Sequence, residues 1–243
     1  GVPPPTATGF TAPEMVDASA RGDIDLFWIV GGNFLDTLAD ASRTRAALTR
    51  PRLRIHQDIV LSPGMFVEPS DTVLVLPAVP YGVTRYGADF PGAVSLSEEA
   101  LRSLVTDLAG NFERVVLVNS HLEPEQVRLL RDLGLPLFDV TRRAVAERLT
   151  EEFRSGAGHA GRYETSLVLA DRPELVHAGR MRTLPPKPID MPAAIRAGQT
   201  SFVAMGMDQA YCGSPADATA EEGEQTFEVL SEMLVELIRE VAA

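Results

Sequence analysis

The hydrophobic and polar positions along the chain alternate between two periods and predict an α/β protein. Apolar runs of strand length occur at residues 26–30, 53–60, 72–77, 115–119 and 135–140. Segments with helical spacing of apolar residues lie at 13–20, 41–48, 97–108, 125–133 and 142–153. Strands that alternate with helices are typical of βαβ units. We therefore expect a mostly parallel sheet flanked by helices, in a single domain over residues 1–243.

The C-terminal third adds two helices and one irregular segment to this prediction. Residues 163–169 have a helical pattern, and the proline-rich residues 183–200 are expected to wrap the surface. A strong final helix is predicted over 218–242, where Thr219 and Glu222 have the spacing of a capping box.

Composition narrows the range of partners. The chain has 34 acidic and 22 basic residues and a formal charge of −12, which disfavours binding to nucleic acid or to an anionic membrane surface. Its single cysteine, Cys212, excludes an internal disulfide, and the first ten residues lack the pattern of a secretory signal. We therefore expect a cytoplasmic protein that binds neither nucleic acid nor membranes.

His121 and Glu123 directly follow the strand predicted at 115–119. If the chain stays extended there, residues two apart point the same way, and the pair could bind one divalent ion or a close pair of ions. The alternative is an ordinary loop histidine beside a solvated glutamate. Local sequence alone does not decide between the two.

A second histidine and glutamate, His159 and Glu164, precede the helix predicted at 163–169. A histidine that exchanges protons near neutral pH and a carboxylate that binds metal are both suited to amide hydrolysis. The alternative is a helix start that Glu164 caps while His159 is exposed to solvent.

Four motifs follow one another after residue 76: the loop 77–96, Asn119-Ser120-His121 with Glu123, His159-Ala160-Gly161-x-x-Glu164-Thr165-Ser166, and Gly213-Ser214-Pro215-x-x-Ala218-Thr219-Ala220-x-x-Gly223. In type and order they resemble those of the creatininase (creatinine amidohydrolase) family.

The resemblance implies a creatininase-like three-layer sandwich and a homo-oligomer. It also implies a metal-dependent amidohydrolase that cleaves a C–N bond in a small linear or cyclic amide or at a peptide end, with zinc or manganese as cofactor. By motif, His121, Glu123 and Glu164 would be metal ligands and His159 would handle protons.

One part of the family pattern is absent. Its N-terminal metal motif, Glu-x-His-Gly-x-His-Leu-Pro followed by a bridging Asp, does not occur in residues 1–75. Asp36, Asp40 and His56 could substitute for it, but no motif supports that assignment. The alternative function is therefore a non-catalytic creatininase-like binding or scaffold protein, whose metal site holds one weakly bound ion or none.

Residues 1–78 instead resemble a fragment of a molybdopterin-dependent oxidoreductase, through 27–38, 56–59 and 67–77. The two resemblances meet near 73–79, where we expect a fusion junction. A third hypothesis, nucleotide binding at Gly31-Gly32-Asn33, lacks the glycine pattern of known phosphate-binding loops.

Overall fold

The computed structural model describes residues 9–31, 33–57, 62–67, 71–76 and 78–242. It divides the chain into two compact units, residues 1–80 and 81–243. The predicted single domain with a junction near 73–79 stays a prediction.

The first unit contains a three-stranded parallel sheet in the order β1-β2-β3. Its elements are α1 (Ala12–Arg21), β1 (Leu26–Val30), α2 (Phe34–Thr37), α3 (Ala41–Leu48), β2 (Leu53–Gln57) and β3 (Asp71–Val75), with a 3₁₀ turn at Pro63–Phe66. Leu53 lies opposite Leu26 on one side and opposite Asp71 on the other. The predicted alternation of strand and helix is confirmed between β1 and β2, whereas the described residues between β2 and β3 form only the 3₁₀ turn. The part of the second predicted strand at 58–60 lies outside the described residues.

The core of the first unit forms between β1 and the helices that follow it. Phe27 and Ile29 of β1 pack with Leu35, Leu48 and Val67, and all five are buried. Burying five such side chains stabilises the unit by roughly 1.5–3 kcal/mol each relative to exposure.

The second unit contains a two-stranded parallel sheet and most of the helices. Its elements are α4 (Glu98–Ala109), β4 (Leu117–Asn119), α5 (Pro124–Asp132), β5 (Leu137–Asp139), α6 (Arg143–Ala146), α7 (Glu151–Arg154), α8 (Arg162–Asp171), α9 (Ala178–Met181), α10 (Met191–Arg196) and α11 (Ala220–Ala242), with 3₁₀ turns at Pro173–Leu175 and Pro215–Asp217.

One prediction for this unit is wrong. The single helix expected over 142–153 is two short helices, because Thr150 adopts an extended conformation and its side chain accepts a hydrogen bond from Phe153 N, which starts α7 afresh.

The proline-rich segment 183–200 is mostly exposed or half-buried. It contains the short helix α10, which Asp190 caps by accepting from Ala193 N at 2.9 Å, and Met191 is its buried residue.

Two hydrophobic clusters position the elements of the second unit. Val83 packs with side chains of α4 and α5, including Leu101 and Leu129. A second cluster joins α8 to α11 through Tyr163 and Met233. These clusters fix the loop at 83–86 and the start of α8, which carry the candidate site.

The α/β class with parallel sheets is confirmed, whereas the three-layer arrangement stays a prediction. Within the described ranges, no helix combines the length and the apolar character that crossing a membrane requires.

Candidate active site

His121 is held by a closed ring of hydrogen bonds. Val83 N–H donates to Gln126 Oε1 at 3.0 Å, and Gln126 Nε2 donates to Asn119 Oδ1 at 2.9 Å. Asn119 Nδ2 donates to His121 O at 3.1 Å, and His121 Nε2 lies 2.9 Å from Val83 O. Gly82 permits this approach, because a Cβ there would overlap Gln126 Oε1. We call these four residues the His121 circuit.

The circuit also fixes the tautomer of His121. Val83 O can only accept, so the ring must donate from Nε2, and in the neutral imidazole Nδ1 is left with a free lone pair. Metal-binding histidines commonly donate their other ring N–H to a backbone carbonyl in this way. His121 is exposed, so this lone pair is accessible.

Glu123 lies at the junction between β4 and α5. Strand β4 ends at Asn119, and Glu123 is the N-cap of α5 with an extended backbone, φ −97° and ψ 117°. Pro124 at the first helical position favours this helix start, because its φ is fixed. The shared metal-binding role of His121 and Glu123 stays a prediction. Glu123 is 2% exposed, and its Oε2 accepts from Arg85 N at 2.8 Å and from Tyr86 N at 3.3 Å.

The other oxygen of Glu123 has the features of a cation ligand. Oε1 is buried, as is Glu125 Oε2, and neither has a hydrogen-bond partner among the described residues. The pKa of Glu123 is raised from 4.5 to about 7, chiefly by burial and also by the Glu125 carboxyl, against an opposing effect of the Arg85 and Tyr86 N–H groups. Two buried carboxyl oxygens without donors require a proton or a cation between them.

His159 is half-buried and its ring packs on Phe202, with the ring centroids 4.4 Å apart. Its pKa is lowered from 6.5 to about 4, chiefly by burial and in part by the proximity of His121. The imidazole is therefore neutral at neutral pH. The predicted alternative, an exposed His159, is wrong.

Glu164 lies in the first turn of α8, and its Oε2 accepts from Ala160 N at 2.6 Å. Burial raises its pKa, although the Ala160 N–H lowers it. This contact uses one carboxylate oxygen of Glu164 on the residue that precedes the N-cap Gly161, and the metal-ligand role of Glu164 stays a prediction. Ala160 has a φ of 48°, a left-handed conformation that is unusual for alanine, so the turn after His159 is strained.

The structure brings His121 and His159 into electrostatic contact and holds Glu123 on the loop at 85–86. Within the described part of the chain, no group of three or more His, Cys, Asp or Glu side chains is arranged to hold a metal ion. The donor set therefore fits a divalent ion in part. His121 and Glu123 each present an unpaired ligand atom, and no third described imidazole or carboxylate joins them in this arrangement.

The three residues considered as substitutes for the missing motif have structural roles in the first unit. Asp36 is hydrogen-bonded to Asn33, and Asp40 caps α3 by accepting from Arg43 N at 2.9 Å. His56 is 2% exposed within β2. The pKa of His56 is lowered from 6.5 to about 4, chiefly by burial and in part by the charge of Arg54.

Sequence reasoning missed three side chains that organise the site: Gln126, Phe202 and Glu152. Glu152 Oε1 accepts from Tyr163 N at 2.9 Å, and its Oε2 accepts from Ser214 N at 2.6 Å. Glycines let Gln126 and Glu152 approach the backbone, and these glycines were the only sign of both contacts in the sequence. No feature of the sequence indicated the contact of Phe202 with His159.

A protein family matches most of the chain, including the candidate site. The family profile named Creatininase, described as creatinine amidohydrolase, matches residues 51–238. The match starts ahead of residue 76, so it includes β2 and β3 and overlaps the segment that resembles an oxidoreductase. That second resemblance stays a prediction.

Individual relatives are similar to most of the chain. A mycofactocin precursor peptide peptidase from Mycobacterium ulcerans (strain Agy99) is 29% identical over 85% of this chain and 76% of its own length. One from Mycobacterium tuberculosis (strain ATCC 25618 / H37Rv) is 32% identical over 70% of this chain and 65% of its own length. A creatinine amidohydrolase from Pseudomonas putida is 30% identical, with 69% of this chain and 74% of that protein covered.

The fold has a counterpart among solved structures. A putative creatinine amidohydrolase from Bacteroides fragilis NCTC 9343 matches with a TM-score of 0.50 and 20% identity, over 71% of this chain and 73% of that one. At this identity the likeness concerns the fold alone. The profile match covers more than half of the residues and includes all four candidate site residues. The chain belongs to the creatininase family.

Proposed function

We propose that the protein is a metal-dependent amidohydrolase that cleaves a C–N bond at a peptide end or in a small linear or cyclic amide. The observation that carries the proposal is the pairing of His159, which is neutral and half-buried, with His121, whose Nδ1 is free and exposed. Relatives named as a peptidase and as a creatinine amidohydrolase support hydrolysis of an amide.

His159 is suited to move a proton in this reaction. As a neutral base it accepts a proton from the attacking water while the C–O bond forms. It then returns the proton to the leaving nitrogen as the C–N bond breaks, so it ends the cycle unchanged. Packing on Phe202 and a hydrogen bond of 2.9 Å from Cys212 N to His159 O hold the residue in place.

The metal is part of the proposal. His121, Glu123 and Glu164 would hold zinc or manganese, as one ion or two. When bound, such an ion lowers the pKa of its water and polarises the amide carbonyl. For Glu123 and Glu125, an adjacent cation would satisfy the buried oxygens that now lack donors among the described residues.

The same proposal includes the three-layer sandwich, a homo-oligomer and a cytoplasmic location, and excludes nucleic acid and membranes as partners. Peptide ends come first among the substrates, because the mycobacterial relatives are named as peptidases. Creatinine is the small cyclic amide to be tested, because one relative is named as a creatinine amidohydrolase.

The test is a hydrolysis assay on the purified full chain with added Zn²⁺ or Mn²⁺. Short peptides and creatinine serve as substrates, and release of amine or of ring-opened product is followed. The variant His159→Asn should lose at least about 100-fold in kcat, the usual scale of acid–base catalysis. His177→Asn removes an exposed histidine at the start of α9 and should stay within twofold of the wild type.

A second candidate, a non-catalytic creatininase-like binding or scaffold protein, is favoured by one observation. Among the described residues no three candidate ligands converge. If the protein has this second function, none of the substrates should be turned over with either metal, and His159→Asn should behave like His177→Asn. Turnover that depends on His159 would contradict it.

A further inference from the structure

Glu152 connects the two segments of the second unit that hold His159. It lies in α7, and its two carboxylate oxygens accept from backbone N–H groups of different segments. Oε1 accepts from Tyr163 N at 2.9 Å, in the first turn of α8. Oε2 accepts from Ser214 N at 2.6 Å. A carboxylate at a helix N-terminus also has a favourable interaction with the helix dipole.

Both segments need glycine to let the carboxylate approach. A Cβ on Gly161 would lie 2.5 Å from Glu152 Oε1, and a Cβ on Gly213 would lie 2.5 Å from Glu152 Cδ. Gly213 also has a φ of 88°, which disfavours other residues. Glu152 therefore accounts for Gly213, and together with Cys212 O, which a Cβ on Gly161 would also overlap, for Gly161.

Backbone hydrogen bonds hold the segment at 212–214 in place, so a contact with this segment also restrains the turn that contains His159. Gly213 pairs with Lys187 in both directions, at 2.6 and 2.8 Å, and Cys212 N donates to His159 O at 2.9 Å. Glu152 ties α8 to this anchored segment, with the strained Ala160 between them. A strained turn keeps its conformation only when its surroundings over-determine it.

We propose that Glu152 is a positioning residue, which sets the place of the His159 ring by joining the start of α8 to the Cys212–Ser214 segment. The proposal rests on the proposed function only where it concerns catalysis. The position of the ring can be measured without turnover.

The test compares Glu152→Gln with Glu151→Gln in the full chain. In Glu152→Gln one backbone N–H faces an amide NH₂ and loses its acceptor. Glu151 is exposed on the same short helix and serves as the matched control. Glu152→Asp, which keeps the charge but is one methylene shorter, carries the test if Glu152→Gln does not fold.

The first measurement is the NMR signal of the His159 ring, assigned by its loss in His159→Asn. Because the ring lies 4.4 Å from Phe202, a displacement changes the ring-current shift. We expect the signal to move in Glu152→Gln and to stay in place in Glu151→Gln. A folded Glu152→Gln protein with the wild-type His159 signal would overturn the proposal.

The second measurement is the split between kcat and KM. Misplacing a catalytic group by about 1 Å can cost on the order of 100-fold, so Glu152→Gln should lower kcat by that factor with KM within about twofold. Equal kcat in the two variants would also overturn it. If the wild type turns over no substrate, the proposed function fails and the NMR comparison still decides the role of Glu152.

Discussion

Breaking the His121 circuit at Gln126 should destabilise the second unit and displace His121. In Gln126→Met the side chain keeps about the same volume, so no cavity forms, but both hydrogen bonds of the amide are lost. Val83 is fully buried and Asn119 is 4% exposed, so water does not readily replace the lost partners.

The magnitude follows from the two groups left unpaired. A buried donor or acceptor without a partner costs about 1–3 kcal/mol, and partial relaxation lowers the sum. For Val83 N–H and Asn119 Oδ1 together we expect a loss of about 2–4 kcal/mol in the free energy of unfolding, measured by urea denaturation.

The matched control is Arg128→Met on the same helix. Arg128 is exposed and forms only a surface ion pair with Glu98, so its loss should cost about 1 kcal/mol or less. If Gln126→Met unfolds at the same urea concentration as Arg128→Met, the circuit does not hold His121 as described.

Two further predictions concern packing and pH. Gly223→Ala should cost about 1–3 kcal/mol in urea denaturation, because its Cβ would lie 2.7 Å from Ala170 Cβ and overlap Ser166 O. Gly179→Ala, with nothing within 4 Å, is the control and should be neutral or stabilising; equal losses would refute the close helix contact. His56 has its pKa lowered from 6.5 to about 4, so the unfolded chain takes up the proton first. Stability from His56 is complete above pH 6.5 and is lost as the pH falls toward 4, by up to about 3 kcal/mol. Urea titrations at pH 7.5, 5.5 and 4.5 should show this loss in the wild type relative to His56→Leu, and parallel curves would contradict it.

The sequence predicted the elements whose signals are local. Helix α3 was predicted at residues 41–48 and spans Ala41–Leu48, and β1 was predicted at 26–30 and spans Leu26–Val30, because apolar spacing decides both. The break between α6 and α7 was missed, because a threonine side chain that accepts from the backbone competes with helix propensity.

The candidate site was predictable as a set of residues but not as an arrangement. His121, His159 and Glu164 were found from motifs, whereas Gln126 and Glu152 act on backbone N–H groups 43 and 62 residues away along the chain. Such partners leave no periodic pattern. Only the glycines that permit the approach, Gly82 and Gly213 among them, are visible in the sequence.

The most direct test of the proposed site is anomalous diffraction from crystals of the full chain grown with Zn²⁺. We expect a peak beside His121 and Glu123, and its loss in His121→Ala. Crystals that contain zinc elsewhere but show no peak at these two residues would contradict the metal-dependent site.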